Sequence, residues 1–179
     1  LSPRFGGTSL FYLSAQGAGD GLWRLKDGQP SEIWKAADDS LSEPPAASPD
    51  GSHVAIIIRQ QGKRRLSIMS ADGTNARTLA PAIAIQGSGG GASADWAPDG
   101  ASIATVGTDA QGPGLFRIPV DGRDPVRLAS GPLANPVWSP DGTLIVYGGP
   151  VVGGQVSLLG VRPDGTPVEL PSVRIRLGG

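Results

Sequence analysis

One short turn sequence recurs three times along the chain and constrains its fold more than any other feature. The copies are Ala47-Ser48-Pro49-Asp50-Gly51, Trp96-Ala97-Pro98-Asp99-Gly100 and Trp138-Ser139-Pro140-Asp141-Gly142. Proline presets φ for the second position of a type I turn, and glycine suits its last position. The three copies are therefore predicted to be structural turns that each join two strands.

Each copy opens a longer repeating unit. A strand-forming run follows the turn, then a polar loop, a second run, an Asp-Gly turn and a final short strand. The second turns are Asp72-Gly73, Asp121-Gly122 and Asp164-Gly165, and the first unit fits less closely, with Asp27-Gly28. Asp-Gly between strands indicates a hairpin because glycine accepts a positive φ. The predicted units are residues 1–40, 41–90, 91–132 and 133–170, with 171–179 as the start of a further unit or a tail.

The composition is compatible with folding only because the sequence is periodic. The chain has 28 glycines and 17 prolines, a content that indicates disorder when it has no period. Val54–Ile58 and Leu144–Tyr147 are apolar on both faces, which is typical of strands covered on both sides. No segment combines a helical period with helix caps. The sequence predicts an all-β chain of four four-stranded antiparallel units.

The repeat, an aromatic residue with Ser-Pro-Asp-Gly, then strand, loop, strand, Asp-Gly and strand, resembles the TolB-type β-propeller repeat. The Gly-His and Trp-Asp pairs of true WD repeats are absent. The resemblance implies a β-propeller with one blade per unit, in a ring of six or so blades. Together with the first residue, Leu1, it favours a fragment of a larger propeller over a complete four-bladed ring. In a fragment, the remaining blades or another chain would have to cover two apolar end faces.

No catalytic, cofactor or metal site is predicted. The chain has no cysteine and one histidine, His53, interpreted as an exposed residue beside a turn. Gly91-Ala92-Ser93-Ala94-Asp95 lacks the second glycine of a nucleophile elbow. The glycine-rich segment 87–91 lacks the following helix of a phosphate loop, and each Asp-Gly turn offers a calcium ion one carboxylate. The interpretation is a chain that is not an enzyme and needs no cofactor.

Charge and hydropathy exclude two classes of partner. The formal net charge of −1 argues against nucleic acid, which requires a basic surface. The longest aliphatic run, Val54–Ile58, is far shorter than the roughly 20 residues of a membrane span. A protein or peptide partner remains, and we predict no membrane insertion of this segment.

One basic cluster stands out, formed by Arg59, Lys63, Arg64 and Arg65 in the predicted loop 59–65. Antiparallel order places both tight turns of a unit on one rim, so this loop and the connections between units share the other rim. The cluster is interpreted either as a solvated hairpin loop or as a contact for an acidic peptide. If the chain binds a partner, Arg59, Lys63, Arg64 and Arg65 are the predicted polar contacts.

Aromatic residues repeat with the units. Trp96 and Trp138 occupy equivalent places in the first strand of their units, and Phe5 aligns with them. A residue repeated in each blade is predicted to pack between blades. Trp23 and Trp34 lie on the outer strands of the first unit, where one of them could mark an exposed contact surface.

Several functional hypotheses follow from the resemblance. The leading one is a non-catalytic module of a bacterial protein, extracytoplasmic rather than cytoplasmic, that binds protein or peptide as a scaffold or sensor region. The alternative is the accessory propeller of a prolyl-oligopeptidase-type serine peptidase, whose catalytic domain would be separate. A third, a sugar-binding or lyase propeller, needs clustered His, Arg and Tyr that the sequence lacks.

Overall fold

The computed structural model describes residues 3–14, 21–35, 40–41, 43–60, 62–87, 93–171 and 174–176. Within these ranges every regular element is a β-strand, and the strands form four antiparallel sheets in chain order. This confirms the predicted all-β fold of four units. The described residues include no helix that is long and apolar enough to cross a membrane.

Consecutive strands pair within each sheet. The first sheet contains β1 (Arg4–Gly6), β2 (Ser9–Ser14), β3 (Gly21–Lys26) and β4 (Gln29–Lys35). The second contains β5 (Ser40–Leu41), β6 (Ala46–Ala47), β7 (His53–Gln60), β8 (Lys63–Ser70) and β9 (Arg77–Leu79). The third contains β10 (Ala84–Ile85), β11 (Ala94–Trp96), β12 (Ser102–Asp109), β13 (Gly112–Pro119) and β14 (Val126–Ser130). The fourth contains β15 (Ala134–Trp138), β16 (Ile145–Val152), β17 (Gln155–Val161), β18 (Pro167–Val168) and β19 (Arg174–Arg176).

Three sheets have five strands because, in each of them, two short strands together occupy one of the four strand positions. In the second sheet β5 and β6 both pair with β7. Pro44 and Pro45 lie between them, and proline has no N–H to donate to a ladder. In the third sheet β10 and β11 share the edge of β12. In the fourth, β18 and β19 pair with opposite ends of β17, so Arg174–Arg176, expected to start a further unit or form a tail, lies on the fourth sheet.

The core lies between consecutive sheets. On β7, Val54 and Ile56 are buried in a cluster with Phe11 of the first sheet. Ala55, on the other face of the same strand, is buried in a cluster with Ile103 of the third sheet. This confirms the prediction that the strand is covered on both sides. Burying each such aliphatic side chain stabilises the fold by about 1.5–3 kcal/mol.

The first and fourth sheets leave their outer faces exposed. Phe5 on the first sheet is 79% exposed and Val137 on the fourth is 54% exposed. The described residues therefore do not form a closed four-sheet ring, which was the alternative to a larger propeller. The prediction that Leu144–Tyr147 is covered on both sides holds for one side only: Ile145 and Tyr147 are buried against the third sheet, whereas Val146 is half-buried.

The aromatic residues predicted to pack between units have different surroundings. Trp96 and Trp138 are buried, each against the preceding sheet. The Trp96 Nε1–H also donates to the carbonyl of Ala46 in the second sheet, at 2.8 Å. Phe5 does not pack in this way, because its face of the first sheet has no described neighbour.

An arginine joins each sheet to the next. Arg24 of β3 donates to the Ala71 carbonyl at 3.0 Å, and Arg117 of β13 donates to the Pro163 carbonyl at 3.1 Å. Arg77 of β9 donates to the Val120 carbonyl. In each case the acceptor is the residue immediately before an Asp-Gly turn of the following sheet. The contact therefore repeats at all three junctions between described sheets.

The two buried tryptophans provide a matched test of this packing. Trp96→Phe removes the bond to Ala46 and leaves a carbonyl without its donor, so we expect a loss of about 1–2 kcal/mol in the free energy of unfolding. Trp138→Phe is the control, because the Trp138 Nε1 atom is buried without a hydrogen-bond partner among the described residues. Urea unfolding followed by circular dichroism should show a smaller loss for the control, and equal losses would contradict the role of the Trp96 bond.

Candidate functional site

The tight turns of all four sheets lie on one edge of the molecule, here called the tight-turn rim. Gly7 at the first turn lies close to Asp50 and Gly51 at the next, since a Cβ on Gly7 would come within 2.9 Å of the Asp50 carbonyl oxygen. One hollow brings together residues of the turns at Asp50 and Asp99, and another those at Asp99 and Asp141. The edge at the opposite ends of the strands is here called the hairpin rim.

Side-chain hydrogen bonds hold the first Ser-Pro-Asp-Gly turn. The Ser48 hydroxyl donates to Asp50 Oδ1 at 2.6 Å and accepts from the His53 amide at 2.9 Å. The Ser52 amide donates to Asp50 Oδ1 at 3.0 Å, and the Ser52 hydroxyl donates to Oδ2 at 2.7 Å. Gly51 has a φ of 71°, the left-handed conformation that glycine adopts without strain. The aspartate thus organises the turn rather than projecting toward a ligand.

These donors change the ionisation of the turn carboxylates. The hydroxyls of Ser48 and Ser52 and the Ser52 amide lower the pKa of Asp50 from 3.8 to about 2, because they stabilise its charged form. The Ser139 hydroxyl, with the Thr143 amide and hydroxyl, lowers the pKa of Asp141 in the same way. The copy at Asp99 has Ala97 in the serine position, and Asp99 accepts from the Ala101 amide at 2.8 Å.

Hollows recur between neighbouring turns on this rim. The hollow between the second and third sheets has a volume of about 310 Å³ and is lined by Asp50, His53, Arg77 and Trp96, among others. The corresponding hollow between the third and fourth sheets measures about 390 Å³. His53 is exposed as predicted, and its Nδ1 atom lies 2.7 Å from the Ser52 hydroxyl. That hydroxyl lies between a carboxylate and an imidazole, which is not the order of a Ser-His-Asp triad.

The basic cluster lies on the hairpin rim, but on strands rather than in a loop. Arg59 is the residue before the last of β7, and β8 begins with Lys63, Arg64 and Arg65. Strand pairing continues to Gln60 and Lys63, and Gly62, with a φ of 76°, permits the tight reversal. The predicted loop 59–65 is therefore the end of a hairpin.

The four cations have different roles within this hairpin. Arg59 and Lys63 are exposed, whereas Arg64 and Arg65 are half-buried. Arg65 donates to the carbonyls of Pro81 at 2.5 Å and Ile83 at 3.3 Å, in the connection to the third sheet. The Arg64 guanidinium lies against Gly87, where a Cβ would come within 2.9 Å of its Cζ atom. Arg59 and Lys63 therefore present charge to solvent, while Arg64 and Arg65 also hold the connection.

Sequence analysis missed the ion pair at the equivalent hairpin end of the third sheet. Arg127 of β14 pairs with Asp109 at the end of β12 and donates to the Gly112 carbonyl at 2.9 Å. Its guanidinium also lies 4.7 Å from the centre of the Phe116 ring. The pair joins residues on non-adjacent strands, so neither residue indicates the other in the sequence.

Asp95 was also missed as a contact between sheets. Its Oδ2 atom accepts a hydrogen bond from the Trp138 amide at 2.7 Å, across the junction of the third and fourth sheets. Burial raises the pKa of this carboxyl, while the hydrogen bonds from the Trp138 and Trp96 amides act in the opposite direction. The Trp138 amide needs a hydrogen-bond acceptor at this position, and the partly buried carboxylate provides one at a cost in desolvation free energy.

Among the described residues, no group of three or more His, Cys, Asp or Glu side chains is placed to hold a metal ion. Most of the glycine-rich segment 87–91, considered above as a phosphate loop, lies outside the described residues.

Comparison with known proteins identifies the fold. No family model and no curated protein matches the chain. Among solved structures, TolB from Acinetobacter baumannii is similar with a TM-score of 0.72 and 18% identity, over 95% of this chain and 44% of that chain. The β-propeller domain of the Trilobed protease from Pyrococcus furiosus has a TM-score of 0.68 and 13% identity, over 96% and 57% of the two chains. A puromycin-hydrolyzing peptidase from Mycobacterium tuberculosis has a TM-score of 0.68 and 14% identity, over 96% and 31%.

These similarities agree with the observed geometry. The chain spans between about a third and somewhat over half of the length of these structures. The four sheets are consecutive blades of a TolB-type β-propeller fold.

The Asp50 turn should make the free energy of unfolding depend on pH. Because the pKa of Asp50 is lower in the folded chain, its stabilisation is complete above its ordinary pKa of 3.8 and is lost as the pH falls toward about 2. Asp50→Asn should lower the free energy of unfolding at pH 6 by up to about 1 kcal/mol and flatten its dependence between pH 4 and 2. Asp99→Asn is the control and should cost less, because Asp99 accepts fewer hydrogen bonds. Urea titrations at several pH values measure both, and an unchanged pH dependence in the Asp50 variant would contradict this role.

Replacement of Asp95 by asparagine should not lower the free energy of unfolding, in contrast to the same replacement of Asp50. At pH 7, Asp95→Asn keeps an acceptor for the Trp138 amide and removes a partly buried charge, so we expect unchanged or increased stability. Asp95→Ala leaves the amide without its acceptor and should cost about 1–3 kcal/mol. Thermal unfolding of the two variants measures the difference, and a larger loss for the asparagine variant would show that the negative charge itself is required.

Proposed function

We propose that these four TolB-type propeller blades form a non-catalytic module that binds an acidic segment of a protein or peptide at the hairpin rim of the second sheet. Arg59 and Lys63 make the direct polar contacts, and Arg64 and Arg65 add charge beneath them. The module serves as a scaffold or sensor region of a larger bacterial protein outside the cytoplasm.

The placement of like charges on this hairpin carries the proposal. Arg59 and Arg64 lie directly opposite each other on β7 and β8. Like charges in directly opposed positions destabilise a strand pair. Lys63 and Arg65 flank Arg64 along β8, which increases the local positive potential. An acidic ligand would offset this repulsion.

The described hairpin ends of the third and fourth sheets lack such a cluster. In the third sheet Asp109 neutralises Arg127. In the fourth sheet the hairpin end is formed by Val151 and Val152, with Gly153 and Gly154 at the reversal. Among the described hairpin ends, positive charge without a described carboxylate partner is thus specific to the second sheet, whereas a general device for solubility would be expected on each of them.

A difference between the two rims also supports this location. The tight-turn rim is built from turns whose polar side chains bond to each other, as at Ser48 and Ser139. The hairpin rim varies in sequence and charge between sheets. Variable surfaces on a rigid framework are the usual place for recognition.

The alternative proposal is the accessory propeller of a serine peptidase. It is favoured by the structural similarity to the propeller domain of the Trilobed protease. The coding sequence around this chain discriminates between the proposals. A following domain with a Gly-x-Ser-x-Gly motif would favour the peptidase, and a kinase domain or a membrane segment would favour the sensor.

Charge reversal on one rim tests the binding proposal. The probe is a fluorescently labelled peptide of ten glutamates, with its binding followed by fluorescence anisotropy at low salt. The double variant Arg59→Glu and Lys63→Glu should weaken binding by about 0.5–2 kcal/mol, because exposed charge contacts contribute on this scale. Both positions are exposed and Arg59→Glu removes the repulsion with Arg64, so the unfolding temperature should not fall.

The control changes net charge equally on the tight-turn rim. Lys26→Glu and Arg162→Glu replace two exposed cations that flank Asp-Gly turns. This variant should retain most of the affinity for the peptide. Equal weakening by both double variants would show a non-specific charge effect, and no weakening by the first would exclude the second-sheet hairpin.

A further inference from the structure

The seven Asp-Gly turns that the structure describes differ in how their aspartates are bonded. In six of them a carboxylate oxygen accepts a hydrogen bond from the main-chain amide two residues further along, at 2.8–3.1 Å. The aspartates of these six turns are Asp50, Asp72, Asp99, Asp121, Asp141 and Asp164. In five of the six, the glycine amide also donates to the carbonyl three residues earlier, at 2.8 or 2.9 Å. Most of these turns therefore hold both the carboxylate and the glycine amide in place.

The turn at Asp27 and Gly28 has neither restraint. No described residue donates a hydrogen bond to the Asp27 carboxylate or accepts one from the Gly28 amide. Lys26 and Gln29 pair directly across the turn, so it has only two residues, and their φ angles are 51° and 74°. Both residues are exposed. The Asp27 carboxyl group can therefore approach the main-chain nitrogen of the residue that follows it.

An unrestrained Asp-Gly pair can rearrange its own main chain. The Gly28 nitrogen, on losing its proton, attacks the Asp27 Cγ atom, an N–C bond forms, and one carboxyl oxygen leaves as water. The product is a five-membered succinimide ring. A second water then opens the ring at the former main-chain carbonyl carbon and returns a hydrogen to the nitrogen, so that the chain continues through Cγ as an isoaspartate. One water is released and one is consumed, and no other reactant is needed.

We propose that Asp27 is a site of isoaspartate formation in the folded chain, and that the fold protects the six bonded Asp-Gly pairs. The two hydrogen bonds at a protected pair such as Asp72 and Gly73 both oppose the reaction. One holds the carboxyl group toward the residue beyond the glycine, and the other keeps the proton on the attacking nitrogen. Neither bond is present at Asp27 among the described residues.

The ionisation of the bonded aspartates adds to their protection. A carboxylic acid cyclises faster than a carboxylate, because its hydroxyl group leaves more easily as water. Hydrogen bonds from the hydroxyls of Ser48 and Ser52 and from the Ser52 amide lower the pKa of Asp50 to about 2. The Thr74 hydroxyl and amide lower the pKa of Asp72 in the same way. At neutral pH these carboxyl groups therefore carry a proton less often than an aspartate of ordinary pKa.

The product changes the geometry of the first sheet. An isoaspartate adds one carbon atom to the main chain of a turn that has only two residues, between the paired Lys26 and Gln29. A two-residue turn joins two strands only with a specific main-chain twist. The modification therefore acts on the end of the hairpin formed by β3 and β4, on the tight-turn rim.

Isoaspartate can be located directly by mass spectrometry. The folded chain is incubated at neutral pH and body temperature, and samples are digested with proteases of different specificity. Electron-transfer fragmentation identifies each isoaspartate, because it breaks the Cα–Cβ bond that this residue places in the main chain. Isoaspartate should accumulate at Asp27 at least several-fold faster than at any of the six bonded pairs. The same fragments resolve Asp20, which lies outside the described residues and is not compared.

Unfolding provides the first control. In guanidinium chloride the hydrogen bonds are lost, so the seven pairs should react at rates within a few-fold of each other. The second control is a matched pair of variants, Asp27→Asn and Asp72→Asn, because an asparagine amide cyclises faster and releases ammonia. In the folded chain the Asp27→Asn variant should lose ammonia several-fold faster, since the side-chain carbonyl of the Asp72→Asn variant can still accept from the Thr74 amide.

Three results would overturn the proposal. The first is that isoaspartate does not form at Asp27 in the folded chain, or forms no faster there than at a bonded pair. The second is a preference for Asp27 that is equally large in guanidinium chloride, which would show that the local sequence and not the fold sets the rate. The third is equal loss of ammonia from the two asparagine variants.

Discussion

The stability of this chain depends on contact between sheets, because each sheet is apolar on both faces. The alternation along β7 shows this most clearly, with Val54 buried toward the first sheet and Ala55 toward the third. Such a sheet has no face that is suited to water, so it needs a neighbour on either side. The turns that keep the strands in register and the arginines that bridge one sheet to the next support this contact.

The arrangement of strands could be predicted from the sequence because it depends on local signals. Proline and glycine at fixed positions specify turns such as that at Asp50, and alternation specifies the strands between them. Strand ends were less predictable. Polar residues such as Arg59 and Lys63 suggested a loop, yet backbone pairing continues to the tip of the hairpin because side chains at a strand end face solvent.

Partners distant in sequence could not be predicted. The bond from Trp138 to Asp95 and the pair of Arg127 with Asp109 depend on the three-dimensional placement of strands. Phe5 has the sequence environment of a packed aromatic residue, and it is exposed because no described sheet lies beside its face, so its packing between blades stays a prediction.

The two rims differ in how the chain uses its polar groups. On the tight-turn rim the donors and acceptors satisfy each other within a few residues, as with Ser139 and Asp141. On the hairpin rim, polar groups either tie one segment to another, as Arg65 does, or face solvent without a partner among the described residues, as Arg59 does. A surface of the second kind can change its charge without affecting the turns that hold the sheets.

The arginine contacts between sheets also bear on how such chains diverge. Their acceptors are the main-chain carbonyls of Ala71, Val120 and Pro163, three different residue types. A main-chain acceptor is present whatever side chain mutation places there, so the receiving position is free to drift. This tolerance fits the preservation of the same architecture at 13–18% identity to solved structures. It also means that a substitution at one of these acceptor positions does not by itself remove the hydrogen bond from the preceding sheet.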